Sequence, residues 1–119
     1  MILADTSVWV GHLRAGDAHM RALLEQAEVA CHPFVIAELA CGHLRKRKEI
    51  LALLQELPAT PAIDLEEFRE FVDGNRLAGM GIGFVDVHLL ASAKLAGLLL
   101  WTTDRPLRAA SQRLGLNYQ

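Results

Sequence analysis

Four acidic residues lie within or directly after apolar stretches of this chain: Asp5, Glu38, Asp86 and Asp104. An unpaired charge in apolar surroundings is costly, so we expect these carboxylates to share a compensating partner. Carboxylate oxygens suit Mg²⁺ or Mn²⁺, and such an ion can lower the pKa of a water molecule and polarise a phosphoryl oxygen. The four acids therefore predict one site that binds a divalent cation.

Hydroxyl side chains stand beside two of these acids. Thr6 and Ser7 follow Asp5, and Thr102 and Thr103 precede Asp104. Hydroxyls in such positions could orient a carboxylate or a water molecule, as the residues behind a metal ligand do.

Each acid alone also has a purely structural explanation. Asp5 and Asp104 suit the N-caps of helices, and Glu38 could pair with a basic residue of a neighbouring helix. Asp86 is harder to explain in this way, because Phe84, Val85 and Val87 surround it. It is the set of four that favours a shared site.

The apolar runs and turn residues predict strands that alternate with helices along residues 1–119. The strands are expected at 2–4, 29–31, 61–63, 98–101 and 116–118, and the helices at about 6–14, 17–27, 33–42, 46–57, 64–77, 84–96 and 106–114. This order predicts a single α/β domain with three layers, in which helices flank a mostly parallel central sheet of four to five strands. Ligands bind beyond the carboxyl ends of such strands, where the four acids would meet.

Composition narrows the classes of protein. The chain has 119 residues, of which 52% are hydrophobic, and a net charge of −2. It can therefore form a core, and it lacks the basic character of a purely charge-driven nucleic-acid binder. Cys31 and Cys41 have no zinc or disulfide spacing, which favours free thiols. With no basic leader and with charged residues interrupting the apolar stretch 84–101, we expect a cytoplasmic protein with no membrane span.

Other motifs carry weaker signals. The basic run Arg45–Lys48 could hold RNA phosphates or simply begin a solvated helix. Trp9 and Trp101 could stack bases, but their apolar context favours packing in the core or in a dimer. The five histidines show no zinc spacing.

Three segments resemble the PIN-domain ribonucleases of the VapC type, the toxins of type II bacterial toxin–antitoxin pairs: ADTSVWVGHLR, AELACG and GFVDVHLLASAKLAGLLLWTTDRPL. The resemblance runs from residue 1 to about 115. It implies a PIN-like fold and four acidic metal ligands at Asp5, Glu38, Asp86 and Asp104. It also implies a catalytic role for the hydroxyl of Thr102.

The same resemblance implies a Mg²⁺- or Mn²⁺-dependent endoribonuclease, in which a metal-activated water hydrolyses RNA and leaves a 5′-phosphate and a 3′-hydroxyl. It further implies a homodimer and a small cognate antitoxin whose C-terminal segment occupies the active site. The alternatives are a catalytically silent PIN-like module that binds RNA or protein, and a phosphoryl-accepting signalling domain. All four acids are present, which disfavours the first, and Thr102 and Thr103 replace the lysine expected in the second.

Overall fold

A three-stranded parallel sheet lies at the centre of the protein, whose computed structural model describes residues Met1–Gln119. The strands are β1 (Ile2–Ala4), β2 (Val29–Ala30) and β3 (Leu99–Trp101), in the order β2-β1-β3. β1 is central and wholly buried, as expected of an apolar strand that is covered on both faces.

Seven helices accompany the sheet: α1 (Thr6–Ala15), α2 (Ala18–Glu25), α3 (Pro33–Ala40), α4 (Arg47–Gln55), α5 (Leu65–Gly74), α6 (Phe84–Ala96) and α7 (Arg105–Arg113). Four of them begin at an aspartate whose side chain accepts a backbone N–H of the first turn. The α/β class and the seven predicted helices are confirmed. No helix combines the length and the apolar character needed to cross a bilayer.

The predicted strand count of four to five is wrong. Residues 61–63 and 116–118 form no strand; single parallel bridges instead join Cys31 to Ala59 and Leu100 to Asn117. On the first edge, pairing stops because Pro33 follows β2, begins α3 and has no N–H to donate to the sheet. On the other edge, the N–H of Leu116 donates to Ser111 O at the end of α7 (2.8 Å), so it is not available to the sheet.

The register of the two longer strands sets the position of the site. Ala4 lies opposite Trp101, and the N–H of Asp5 donates to Trp101 O over 2.9 Å. Asp5 and Thr102 therefore emerge side by side from the carboxyl ends of neighbouring strands, although 97 positions separate them in the sequence.

Candidate active site

Asp5 is held at the junction of β1 and α1 by three donors. Its carboxylate accepts hydrogen bonds from the backbone N–H of Ser7 (3.3 Å), the hydroxyl of Ser7 (2.9 Å) and the hydroxyl of Thr102. The residue is only 6% exposed. Asp5 is thus the N-cap of α1, as one interpretation of the sequence predicted, and it is also fixed from β3.

Asp104 belongs to the same hydrogen-bond network. Its backbone N–H donates to the hydroxyl oxygen of Thr102 (3.0 Å), and its carboxylate caps α7 by accepting the N–H of Leu107 (3.1 Å). The N–H of Thr103 donates to the hydroxyl oxygen of Ser7 (3.2 Å). Two hydroxyl side chains, Ser7 and Thr102, therefore tie the ends of β1 and β3 together.

Glu38 and Asp86 are supplied by helices. The carboxylate of Glu38, on α3, accepts a hydrogen bond from the hydroxyl of Thr6 (2.6 Å). The carboxylate of Asp86, in the first turn of α6, accepts the N–H of Gly83 (3.1 Å). Thr6 and Ser7 were not among the predicted site residues, although they lie directly after Asp5 and their hydroxyls were considered as supports for it.

The charges of the four acids act on one another. The pKa of Asp86 is raised, first by burial and then by the negative charges of Asp5, Asp104 and Glu38, while the hydrogen bond from Gly83 opposes the shift. Charges that shift this pKa must lie nearby. The structure therefore brings the four predicted acids to one edge of the sheet.

No basic side chain forms an ion pair with any of these acids. The only ion pair in the protein joins the amino terminus to Glu28 (3.4 Å), outside the network. His88 is buried two residues from Asp86, and burial lowers its pKa. Burial and then the nearby His88 lower the pKa of His32 to about 4. Both imidazoles are thus uncharged at neutral pH and leave the acids unpaired.

The carboxylates do not converge on a single point. No three histidine, cysteine, aspartate or glutamate side chains are arranged to hold a metal ion in this conformation. Each carboxylate instead accepts a hydrogen bond from the start of its helix or from a neighbouring hydroxyl. The donor set is all oxygen, which suits Mg²⁺ or Mn²⁺. The role of the four acids as metal ligands stays a prediction.

A family model places the chain among known proteins. The model of the PIN domain matches residues 2–112. The chain belongs to the PIN domain family. The resemblance to PIN-domain ribonucleases of the VapC type is confirmed by two relatives, both named Ribonuclease VapC32, from Mycobacterium tuberculosis strains CDC 1551 / Oshkosh and ATCC 25618 / H37Rv. Each is 46% identical over 117 residues, which cover 98% of this chain and 94% of the relative.

A solved structure has a similar fold. The crystal structure of PAE2754 from Pyrobaculum aerophilum matches with a TM-score of 0.65 and covers 92% of this chain and 83% of that one. At 20% sequence identity, the match shows the fold alone.

The basic run of this PIN domain divides by role. The guanidinium of Arg47 donates to Ala40 O through two nitrogens (3.1 and 2.9 Å), so it caps the end of α3. Arg45 makes no such bond and lines a cavity beside Glu38. The sequence could not predict these two roles, because nothing in the run shows which basic side chain would bond the end of α3.

The predictions for the tryptophans and cysteines can also be compared with the structure. Trp9 is buried in the core, as its apolar context predicted. Trp101 packs against His19 and Tyr118, with ring centroids 5.3 and 5.8 Å away. Both cysteines are free, as expected.

Proposed function

We propose that this protein is a Mg²⁺-dependent endoribonuclease, in which Mn²⁺ can replace Mg²⁺, and the toxin of a toxin–antitoxin pair. The observation that carries the proposal is the group of four acids at one sheet edge, none of which forms an ion pair. Such a charge calls for a cation. The relatives named Ribonuclease VapC32 support RNA as the substrate.

In this proposal Asp5, Glu38, Asp86 and Asp104 hold the ion. When bound, the ion would activate a water molecule and offset negative charge on the phosphodiester. The protein's own part is positioning: the three donors on Asp5 restrict its rotation, so little reorganisation is needed during the reaction. Thr102 supports this arrangement by bonding both Asp5 and the backbone of Asp104.

The proposal is tested by incubating the purified protein with 5′-labelled single-stranded RNA. We expect cleavage in Mg²⁺ or Mn²⁺, loss of cleavage in EDTA and recovery when excess Mg²⁺ is restored. Products should carry a 5′-phosphate, which is detected by direct ligation. Equal cleavage in EDTA would remove the metal from the proposal. Binding of RNA without cleavage under all conditions would favour the silent module instead.

The proposal includes the partners that the family resemblance implies, namely a homodimer and a small antitoxin in the cytoplasm. Light scattering of the purified protein measures the first directly. Co-expression with a small gene that adjoins the gene of this protein tests the second, because an antitoxin should relieve growth arrest. A monomer at micromolar concentration, or growth arrest unaffected by that gene, would contradict these parts separately.

Replacing Thr102 with valine should lower kcat/KM for RNA about 10–100-fold, as for other residues that support a metal ligand. Valine has a similar shape but can neither donate to Asp5 nor accept the N–H of Asp104. Thr102→Ser keeps the hydroxyl and should retain most activity. Cleavage rates of both variants, with their thermal unfolding, make the comparison. Equal activity of the valine variant and the wild type would mean that this hydroxyl does not support the reaction.

A further inference from the structure

A cavity of about 340 Å³ opens beside the acidic site. It is lined by residues of α1, α3 and α4 and by the segment that joins α3 to α4. Thr6 and Glu38, the hydrogen-bonded pair of the site, form part of its wall. Its apolar lining consists of Val10, Leu13, Leu39, Leu44 and Ile50. The cavity is therefore continuous with the candidate active site and has a wall on which a flat apolar group could rest.

Two arginines line the same cavity. Arg14 lies in the last turn of α1, and Arg45 lies in the segment before α4. Both are exposed, and neither has an ion pair, whereas nearby Arg47 is committed to the end of α3. A free guanidinium is well suited to phosphate, because its planar N–H groups can bind two oxygens at once.

We infer that this cavity binds one unpaired nucleotide of the RNA, next to the bond that is cut. This inference rests on the proposed function. The base would lie against the apolar wall, and its phosphate would be held by Arg14 and Arg45. The volume suits a small ligand, since such sites span roughly 300–1,000 Å³. A base can enter only when it is not stacked in a duplex, so the substrate is single-stranded RNA or a loop.

RNA fits the cavity better than an acidic peptide does. Glu38 adds a negative charge to the wall, and a bound cation at the site would offset it for the neighbouring phosphates of a nucleic acid. A carboxylate peptide could use the two arginines, but it has no planar ring in every residue to occupy the apolar wall. No Phe, Tyr or Trp lines the cavity, so a base would make apolar contact with aliphatic side chains.

The role of the two arginines is tested by fluorescence anisotropy on the whole protein in Ca²⁺, a hard divalent cation that suits the oxygen ligands of the acidic site. The probe is a labelled random-sequence single-stranded RNA of about 12 nucleotides, within the usual range for such sites. For Arg14→Gln with Arg45→Gln, we expect affinity to fall about tenfold or more, as when hydrogen bonds to charged groups are removed. The slope of log K against log salt should decrease by about 0.7 for each phosphate that is no longer neutralised by an arginine. Arg69→Gln, on α5, removes an arginine outside the cavity and should change neither quantity by as much.

The position of the base is tested by filling the cavity. A Cβ added to Gly42 would meet only Leu39 O, at 3.7 Å, so Gly42→Leu should place its side chain in the cavity without strain. Gly74→Leu is the control, because a Cβ there meets nothing within 4 Å and Gly74 does not line the cavity. The wild type and the control should bind intact RNA more tightly than abasic RNA of equal length. Gly42→Leu should lose this preference.

The outcomes separate this inference from the proposed function. If the wild type cuts RNA in Mg²⁺ but the arginine variants keep its affinity and salt slope, the inference fails and the function stands. If Gly42→Leu still prefers intact RNA, the base is elsewhere and the inference fails. If these variants instead lose binding only to peptides of the neighbouring gene's product, the cavity is a protein site and the inference is overturned. An absence of cleavage by the wild type in Mg²⁺ and Mn²⁺ would defeat the function itself.

Discussion

Replacing Asp5 with asparagine is expected to lower kcat/KM for RNA about 10³-fold while the protein stays folded, because a metal ligand contributes several kcal/mol to the transition state. The variant removes the charge of the most buried of the four acids. Asparagine is as good an N-cap as aspartate, so α1 should keep its first turn and its bond from Ser7 N–H. Cleavage of labelled RNA at saturating Mg²⁺ and thermal unfolding of the same preparation measure the two effects.

Asp17→Asn is the matched control for this variant. Asp17 also begins a helix, α2, and accepts the N–H of Met20 over 3.0 Å, but it does not belong to the network around Asp5. The control therefore repeats the loss of charge at a helix cap without touching the site. Similar activity losses in both variants would show that a change in helix stability, and not the site, controls cleavage.

The elements that the sequence predicted well are those with local signals. β1 begins and ends as expected because its apolar run is interrupted by Asp5. α5 begins beside residue 64, where a helix was expected, at a capping box of Asp64 and Glu67. The two strands predicted at the sheet edges failed because strand pairing depends on the partner. Each edge forms a single bridge, and then Pro33 at the start of α3 or the bond from Leu116 to α7 prevents further pairing.

The candidate site could be predicted in part for the same reason. Asp5 and Asp104 follow strands, and Asp86 lies in the first turn of α6, so the gathering of these three follows from topology. Glu38 lies further along its helix, in the second turn of α3. The bond from Thr6 to Glu38 joins residues 32 positions apart, and no pattern in the sequence indicates it. The cavity walls and the separate roles of Arg45 and Arg47 depend in the same way on how α3 meets α4.

Asp86→Asn is expected to have opposite effects on activity and on stability. It should abolish cleavage, yet at pH 7 and without metal it should raise the unfolding temperature. Burial and three nearby acids raise the pKa of Asp86 above its ordinary value of 3.8. The folded protein therefore favours the protonated carboxyl. Below pH 3.8 this carboxyl is protonated in both the folded and the unfolded state, and its contribution to the free energy of unfolding is fully present. As the pH rises through the raised folded pKa, that contribution is lost, and asparagine avoids the loss because it never ionises.

With divalent cations, the wild type should instead unfold at a higher temperature than Asp86→Asn. An ion that binds only the folded wild type stabilises it by about 2.7 kcal/mol at a concentration one hundred times its Kd. Asp86→Asn should gain less, because one ligand and one negative charge are missing. Asp73→Asn, an exposed change on α5, controls for net charge and should respond to Mg²⁺ as the wild type does. Melting curves at pH 3 and pH 7, with and without Mg²⁺, give all the comparisons. If Mg²⁺ raised the unfolding temperature equally in the wild type and in Asp86→Asn, the ion would bind elsewhere. A carboxylate that its neighbours repel in the absence of metal should be stabilised most when the metal binds.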